Sequence, residues 1–443
     1  MVVSLESLGL LLLLALFIFI FIGFPISFTL IFLGLVFGYI GIGKVVFYLM
    51  TLQVFTIMTE TLLAAVPLFL FMGYVLERTG LMNRLFHGFQ LLLAPVKGSL
   101  YIAVLSTATL FAAATGIVGA SVTILGVMAA PIMRKSGYSP RLSAGSIAAG
   151  GTLGMLIPPS VMLVVMGPVV GAPITELFAA TFIPGVLLAT LYTVYALVRC
   201  YINPTLGPAL PQELRAGSFA EIVKELLLGI IPLAVLMASV LGSILAGLAT
   251  PTDAAAMGAF GALLLALAYR RLTWKTLQES VYATIVTSSM ILLLVAASNF
   301  FGAVFARLGT ATMIAEALLG LPFPPTIILI FILGLIFVLG WPLEWVPIVL
   351  IVIPIFMPLI TELQIDLVWF CTLVAVCLQT AWLSPPVALS AYYIKGVVPQ
   401  WSLSDIYIGM MQFMVIQVIG LLLVLFFPKL ALWLPELLFR GEP

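Results

Sequence analysis

The residues able to do chemistry fall in four short stretches where glycine, proline and polar side chains interrupt apolar runs. They are Thr115-Gly116-Ile117-Val118-Gly119-Ala120-Ser121, Gly150-Gly151-Thr152-Leu153-Gly154-Met155-Leu156-Ile157-Pro158-Pro159-Ser160, Gly340-Trp341-Pro342-Leu343-Glu344-Trp345 and Gln379-Thr380-Ala381-Trp382-Leu383-Ser384-Pro385-Pro386. Two of them carry a Pro-Pro pair deep in an apolar run. Proline removes an amide donor and clashes with the preceding turn, and it pushes the residue before it out of the helical region. Each pair therefore opens a helix and frees backbone carbonyls, which suit a small dehydrated cation. Kinks that serve packing alone are the alternative.

Other candidates carry less. Glu344 sits in a break between two tryptophans, and a carboxylate buried there needs a cation or donors; it also suits a helix N-cap or outer water. Thr250-Pro251-Thr252-Asp253 reads as a helix start, with Asp253 in a capping box. The sole histidine, His87, reads as an interfacial loop residue, with a proton relay as the alternative. Cys200, Cys371 and Cys377 lack metal-ligand spacing, and neither a disulfide nor zinc is expected.

The elements that hold these stretches are membrane helices. Of 443 residues, 64% are hydrophobic and 7% charged, against roughly 25% charged in soluble domains. Seventeen basic and 16 acidic residues cannot cover a chain of this length with a polar shell. A spanning helix needs about 20 apolar residues, and backbone groups in lipid must pair within the segment. Full spans are expected at Leu8–Leu33, Ala144–Met166, Phe182–Cys200, Leu226–Leu248, Asp253–Tyr269, Val281–Val304, Leu367–Tyr392 and Ile406–Pro428. Val45–Leu76 is too long for one span and reads as two helices meeting around Thr59–Thr61. The start carries Glu6 and no basic residue before its apolar run, so it reads as a membrane helix rather than a cleavable signal.

Basic residues mark the cytoplasmic side. Arg78, Arg84, Lys97, Arg134, Lys135 and Arg141 form one group, Arg199, Arg215 and Lys224 a second, and Arg270, Arg271 and Lys275 the densest. Both ends of Leu100–Met133 then lie on one side. A re-entrant hairpin with its tip at Gly116–Gly119 satisfies this, since closely spaced glycines favour a tight reversal; a helix pair packed through small residues is the alternative. Pro325–Ile360, broken at Gly340–Trp345, reads as a second hairpin entering from the opposite face. The count puts both termini in the periplasm. Hairpin followed by Pro-Pro break, twice and in opposite senses, is the pattern of inverted repeats around a midplane site. The expected fold is an all-α polytopic membrane protein with two re-entrant hairpins and two broken helices.

Further motifs carry a resemblance. Pro67-Leu68-Phe69-Leu70-Phe71-Met72-Gly73, Ala130-Pro131-Ile132-Met133-Arg134-Lys135-Ser136-Gly137-Tyr138, Gly151-Thr152-Leu153-Gly154 running into Ile157-Pro158-Pro159-Ser160, Phe178-Ala179-Ala180-Thr181-Phe182-Ile183-Pro184-Gly185, Ala249-Thr250-Pro251-Thr252-Asp253-Ala254-Ala255-Ala256, and Ser384-Pro385-Pro386 with Gly396 and Pro399 follow one another in order. Together they resemble the large membrane subunit, DctM-like, of the tripartite ATP-independent periplasmic (TRAP) transporters, over nearly the whole chain.

The resemblance implies a large permease subunit in the bacterial inner membrane. It implies sodium-coupled inward symport of a small organic anion, a carboxylate, by an elevator-type fold. The implied partners are a small four-helix membrane subunit and a periplasmic solute-binding protein, in a lipid bilayer. The elevator reading divides the chain into scaffold (1–95), a first transport repeat (96–202, hairpin 100–133, broken helix 144–170), central loop and scaffold (203–308), a second transport repeat (309–405, hairpin 325–360, broken helix 367–392) and a C-terminal helix (406–443). Two sodium sites are implied, one from Gly116, Gly119, Gly154 and Ile157, the other from Gly340, Glu344, Thr380 and Leu383. Solute contacts are implied for Thr115, Ser121, Ser160 and Ser384.

Many family members carry Gly-Ser-Ser where this chain has Gly116-Ile117-Val118, so two hydroxyls are missing. The variant resembles the branch associated with mannitol, chloroaromatic compounds and 2-oxo acids. No organic cofactor and no nucleic acid are expected. The chain lacks a Walker lysine motif and a metal-binding His cluster, so no enzyme reading competes. A proton-coupled anion transporter and a channel-like membrane subunit are the alternatives.

Overall fold

A computed structural model of the chain describes residues 4–116, 118–211, 218–385 and 388–441, and those residues are helical with no strand among them. The helices in order are α1 (Leu5–Ile22), α2 (Ile26–Ile42), α3 (Val45–Thr59), α4 (Ala65–Arg78, after a 3-10 turn at Thr61–Ala64), α5 (Leu81–Leu93), α6 (Ser99–Thr115), α7 (Val118–Lys135), α8 (Pro140–Thr152), α9 (Val161–Val170) and α10 (Ile174–Ile202). Then follow α11 (Phe219–Leu245), α12 (Pro251–Ala268), α13 (Trp274–Arg307), α14 (Thr310–Leu319), α15 (Pro325–Leu339), α16 (Trp345–Pro347, passing through a π turn into α17, Ile353–Glu362), α18 (Leu367–Leu378), α19 (Thr380–Leu383), α20 (Leu389–Val397), α21 (Leu403–Phe426) and α22 (Lys429–Pro435). Nine helices among the described residues are long and apolar enough to cross a bilayer.

Two expected spans are corrected. Leu8–Leu33 is not one helix. Gly23, at φ +95°, ends α1 in the left-handed region and Pro25 caps α2, the conformation that glycine supplies without a steric penalty. The segment after Lys44 is two helices meeting at Glu60, as expected, but they do not reverse. Asn299 Nδ2 donates to Gln53 Oε1 at 2.8 Å, Tyr74 Oη pairs with Thr287 Oγ1 at 2.7 Å, and Arg78 meets Glu279 at 3.5 Å. As α3 and α4 advance, α13 recedes, so they make one kinked passage antiparallel to it. One helix was read too few and one reversal too many.

The two halves repeat one another in element order. The α3–α4 passage corresponds to the 34-residue α13. The short helices α5 and α14 follow glycines in the same left-handed conformation, Gly80 at φ +77° and Gly309 at φ +76°. A helical hairpin, a broken helix and a closing helix come next in each half.

Contacts fix their relative sense. Arg141 and Asp405, in the first turns of α8 and α21, pair at 2.7 Å, so those helices are parallel. Trp369 Nε1 donates to Val424 O at 3.1 Å and Gln417 Nε2 to Val376 O at 3.0 Å, so α18 runs against α21. The two broken helices are therefore antiparallel, and the repeats are inverted. Their backbones approach closely where side chains vanish. A Cβ at Gly409 would run into the Arg141 carbonyl, and one at Gly145 would meet Gly409 O, the small-residue packing that membrane helices use.

Candidate functional site

Each hairpin turn rests on the break that follows it. The first reverses at Gly116, at φ +61°, where a Cβ would lie 3.6 Å from Val161 N and 3.7 Å from Pro159 O. The second turns at Gly340–Glu344, and a Cβ on Gly340 would lie 3.1 Å from Ala381 Cβ. The repeats also touch across the centre, because a Cβ on Gly119 would come within 2.9 Å of the Tyr393 ring on α20.

The first break keeps its shape through local bonds. Leu156 N and Ile157 N both donate to Leu153 O, at 3.0 and 2.9 Å, and Ser160 Oγ donates to Met155 O at 2.5 Å. The carbonyls of Leu156, Ile157, Pro158 and Pro159 accept no hydrogen bond among the described residues. In the second break Ser384 Oγ donates to Thr380 O at 2.7 Å, and the carbonyls of Leu383, Ser384 and Pro385 are likewise unpaired among the described residues. Thr152 and Thr380 donate to the carbonyls three residues back, at 2.8 and 2.6 Å. The two breaks thus share one local design, and each offers a run of unpaired carbonyls beside a hairpin turn.

These elements, with α4 and α13, line an open cavity of about 460 Å³. Gly116, Gly119 and Glu344 line it. Gly154 and Ile157 are buried in the first break; the Ile157 side chain packs toward Gly185, which leaves its carbonyl as the polar group on offer. Thr380 and Leu383 are buried in the second break.

The hydroxyls of Ser160 and Ser384 are fully buried and turned onto their own breaks, and Ser121 is buried within α7. Thr115 ends α6, and its side chain lies outside the described set, as do Ile117 and Pro386.

Five polar lining residues escaped the sequence reading: Tyr74, Glu77, Thr123, Thr287 and Tyr393. Glu77 carries no signal of its own in the sequence, where it stands beside Arg78 at the end of an apolar run. In the fold it opens onto the cavity while Arg78 turns away, donating to Tyr74 O at 3.0 Å and meeting Glu279. A second polar cavity of about 270 Å³ lies farther along α13, between Gln53, Glu60, Ser298 and Asn299 on one side and Val165 and Leu350 on the other.

Comparison with known proteins matches residues 13–430 to the model of the tripartite ATP-independent periplasmic transporter, DctM component. The chain is 30% identical over 418 residues to the sialic acid TRAP transporter large permease protein SiaM of Vibrio cholerae, covering 94% of this chain and 95% of that one. It is 27% identical over 382 residues to the sialic acid TRAP transporter permease protein SiaT of Haemophilus influenzae, where the match takes in 85% of this chain and 60% of that longer protein. The fold is similar to the crystal structure of the Alcanivorax borkumensis YdaH transporter, with a TM-score of 0.61 at 16% identity, covering 85% of this chain and 87% of that one.

Proposed function

The chain belongs to the DctM-component family of tripartite ATP-independent periplasmic transporters, and on that footing we propose that it couples the inward movement of a small carboxylate-bearing solute to sodium. As a large permease subunit it is a multi-pass inner-membrane protein and a transporter component rather than an enzyme.

One observation carries the coupling: two inverted breaks, each with unpaired carbonyls pressed against a hairpin turn. Sodium is a hard cation that takes oxygen ligands. One ion would sit between Gly116, Gly119, Gly154 and Ile157, drawing on main-chain oxygens. The other would sit between Gly340, Glu344, Thr380 and Leu383, with the Glu344 carboxylate adding charge. The missing hydroxyls at Ile117 and Val118 leave this scheme intact, because it rests on backbone. The solute would occupy the cavity that both hairpins line, and small carboxylates with and without a second, positive group are the classes to try. A soluble binding protein would deliver it, and a small membrane subunit would brace the scaffold.

In the elevator scheme, the hairpins and broken helices slide as one body along α4 and α13. Polar groups at two levels of α13, Thr287 in one cavity and Asn299 in the other, support such a path. The test is uptake of labelled small carboxylates, 2-oxo acids and zwitterionic amino acids alike, into proteoliposomes holding the permease, its small subunit and the binding protein. Uptake should require an inward sodium gradient and should proceed without ATP. Uptake unchanged in sodium-free buffer would overturn the coupling.

A further inference from the structure

The walls of the central cavity do not suit a bare anion. Among the described residues no Lys, Arg or His lines it, while two carboxylates, Glu77 of α4 and Glu344 of the second hairpin, do. Glu77 is half-buried and Glu344 is exposed at the cavity's opening, and no hydrogen bond or ion pair within contact distance engages either side chain among the described residues. Four carboxylates elsewhere are engaged: Asp253 in its capping box, Asp405 with Arg141, Glu176 and Asp366 with Arg440. Arg78, next to Glu77 in the chain, meets Glu279 and donates to the Tyr74 carbonyl, and forms no ion pair with Glu77 within 4 Å.

Around the two carboxylates stand four aromatic rings, Tyr74, Trp345, Trp382 and Tyr393, with Trp382 and Tyr393 stacked at 6.5 Å and 22°. Aromatic faces attract organic ammonium groups through the ring quadrupole, most strongly when water is excluded. Sodium is a hard cation that prefers oxygen ligands, and on the reading above those lie in the breaks. Elsewhere on the wall, Val118, Gly119 and Ala120 bring the first turn of α7. A helix start presents unpaired N–H groups and the positive end of the dipole. The cavity therefore has a negative, aromatic part and a part suited to a carboxylate.

We infer that the solute is a zwitterion: its carboxylate faces the first turn of α7, and its ammonium or quaternary nitrogen lies against Glu77, Glu344 and the surrounding rings. This rests on the reading of the cavity as the solute site and narrows the solute class within it. Glu77 carries the specificity, since Glu344 also borders the sodium site proposed above.

Pairs of ligands that differ only by a carbon in place of nitrogen test it. Glycine betaine against tert-butylacetate, β-alanine against butyrate and γ-aminobutyrate against valerate keep shape and carboxylate while removing the positive charge. Binding to the full-length chain in lipid nanodiscs, with and without sodium, would be read by calorimetry. At least one zwitterion should bind in a sodium-dependent way, and about tenfold or more tightly than its carbon partner. Glu77→Gln and Trp382→Leu should each erase that preference while sodium still stabilises the protein against heat, which shows that the variants are folded.

Carbon partners that bind as well as the zwitterions, or better in Glu77→Gln, would overturn the inference and leave sodium-coupled carboxylate transport standing. Silence across the whole panel would overturn it too. A zwitterion bound equally with and without sodium would instead strike the coupling and leave the inference in place.

Discussion

At the residue scale, the prolines of the first break are the most direct lever. Proline costs roughly 3 kcal/mol inside a helix relative to alanine, so replacing Pro158 and Pro159 together by alanine should let α8 run on toward α9. The carbonyls of Leu156 and Ile157, unpaired among the described residues, would then be drawn into helical bonds. We expect the variant to fold at least as well as the parent and to lose about tenfold or more in sodium affinity, about 1.4 kcal/mol, by calorimetry. A well-folded variant that keeps parental affinity would make the prolines packing kinks. Pro385→Ala should act alike at the second break.

The sequence showed these breaks because each is local: a proline pair announces an open helix whatever surrounds it. Glu77 and Tyr393 were not legible for the opposite reason. Each belongs to the site only through the packing of α4 and α20 against elements distant in the chain, and a single carboxylate beside an arginine reads the same at an interface as at a cavity. The Ser160 and Ser384 hydroxyls look like free ligands in sequence, and only the fold shows them donating to their own breaks.

At the scale of elements, the turns at Gly116 and Gly340–Glu344 and the breaks after them were legible, while the first two apolar runs were each misread, in opposite senses. Gly23-Phe24-Pro25 splits the first apolar run, and α3 and α4 follow α13 as a single passage. Hydropathy cannot separate a bend from a reversal, because both leave apolar segments flanking a polar break. Which it is depends on the partner helix.

The inverted arrangement is held together partly by the absence of side chains where α8 meets α21. Gly409→Ala should therefore lower stability by roughly 1–3 kcal/mol, the usual cost of overpacking, because the new Cβ has only the Arg141 backbone to displace. Gly242→Ala is the control. It is exposed on α11 with nothing within 4 Å of a new Cβ, and alanine gains about 1 kcal/mol over glycine in helix propensity. Apparent unfolding midpoints in one detergent should rank Gly409→Ala below the parent and Gly242→Ala level with it or above. Equal midpoints for all three would mean that the α8–α21 contact can relax at little cost.

At the scale of the whole molecule the issue is motion. In the elevator scheme the two hairpins and two broken helices travel together along a fixed α4–α13 wall. That wall offers two stations. Val346, at the second hairpin, shares the central cavity with Thr287, while Asn299 lies one cavity farther along the same helix. At 1.5 Å per residue the two α13 positions are about 18 Å apart. A hairpin that only flexed at its tip would stay near the first station, and a rigid body that slides by such a distance would reach the second.

A cysteine at Val346 should therefore cross-link to Thr287→Cys in one state and to Asn299→Cys in the other. The three native cysteines are buried and free, which keeps their background low. Either bond should stop solute flux, and reduction should restore it. Saturating sodium and solute should shift the yield between the two pairs, since a ligand that favours one state draws the population toward it. A cross-link only to Thr287, formed in full while transport continues, would show that α13 and the hairpin never part and that access to the cavity is gated locally.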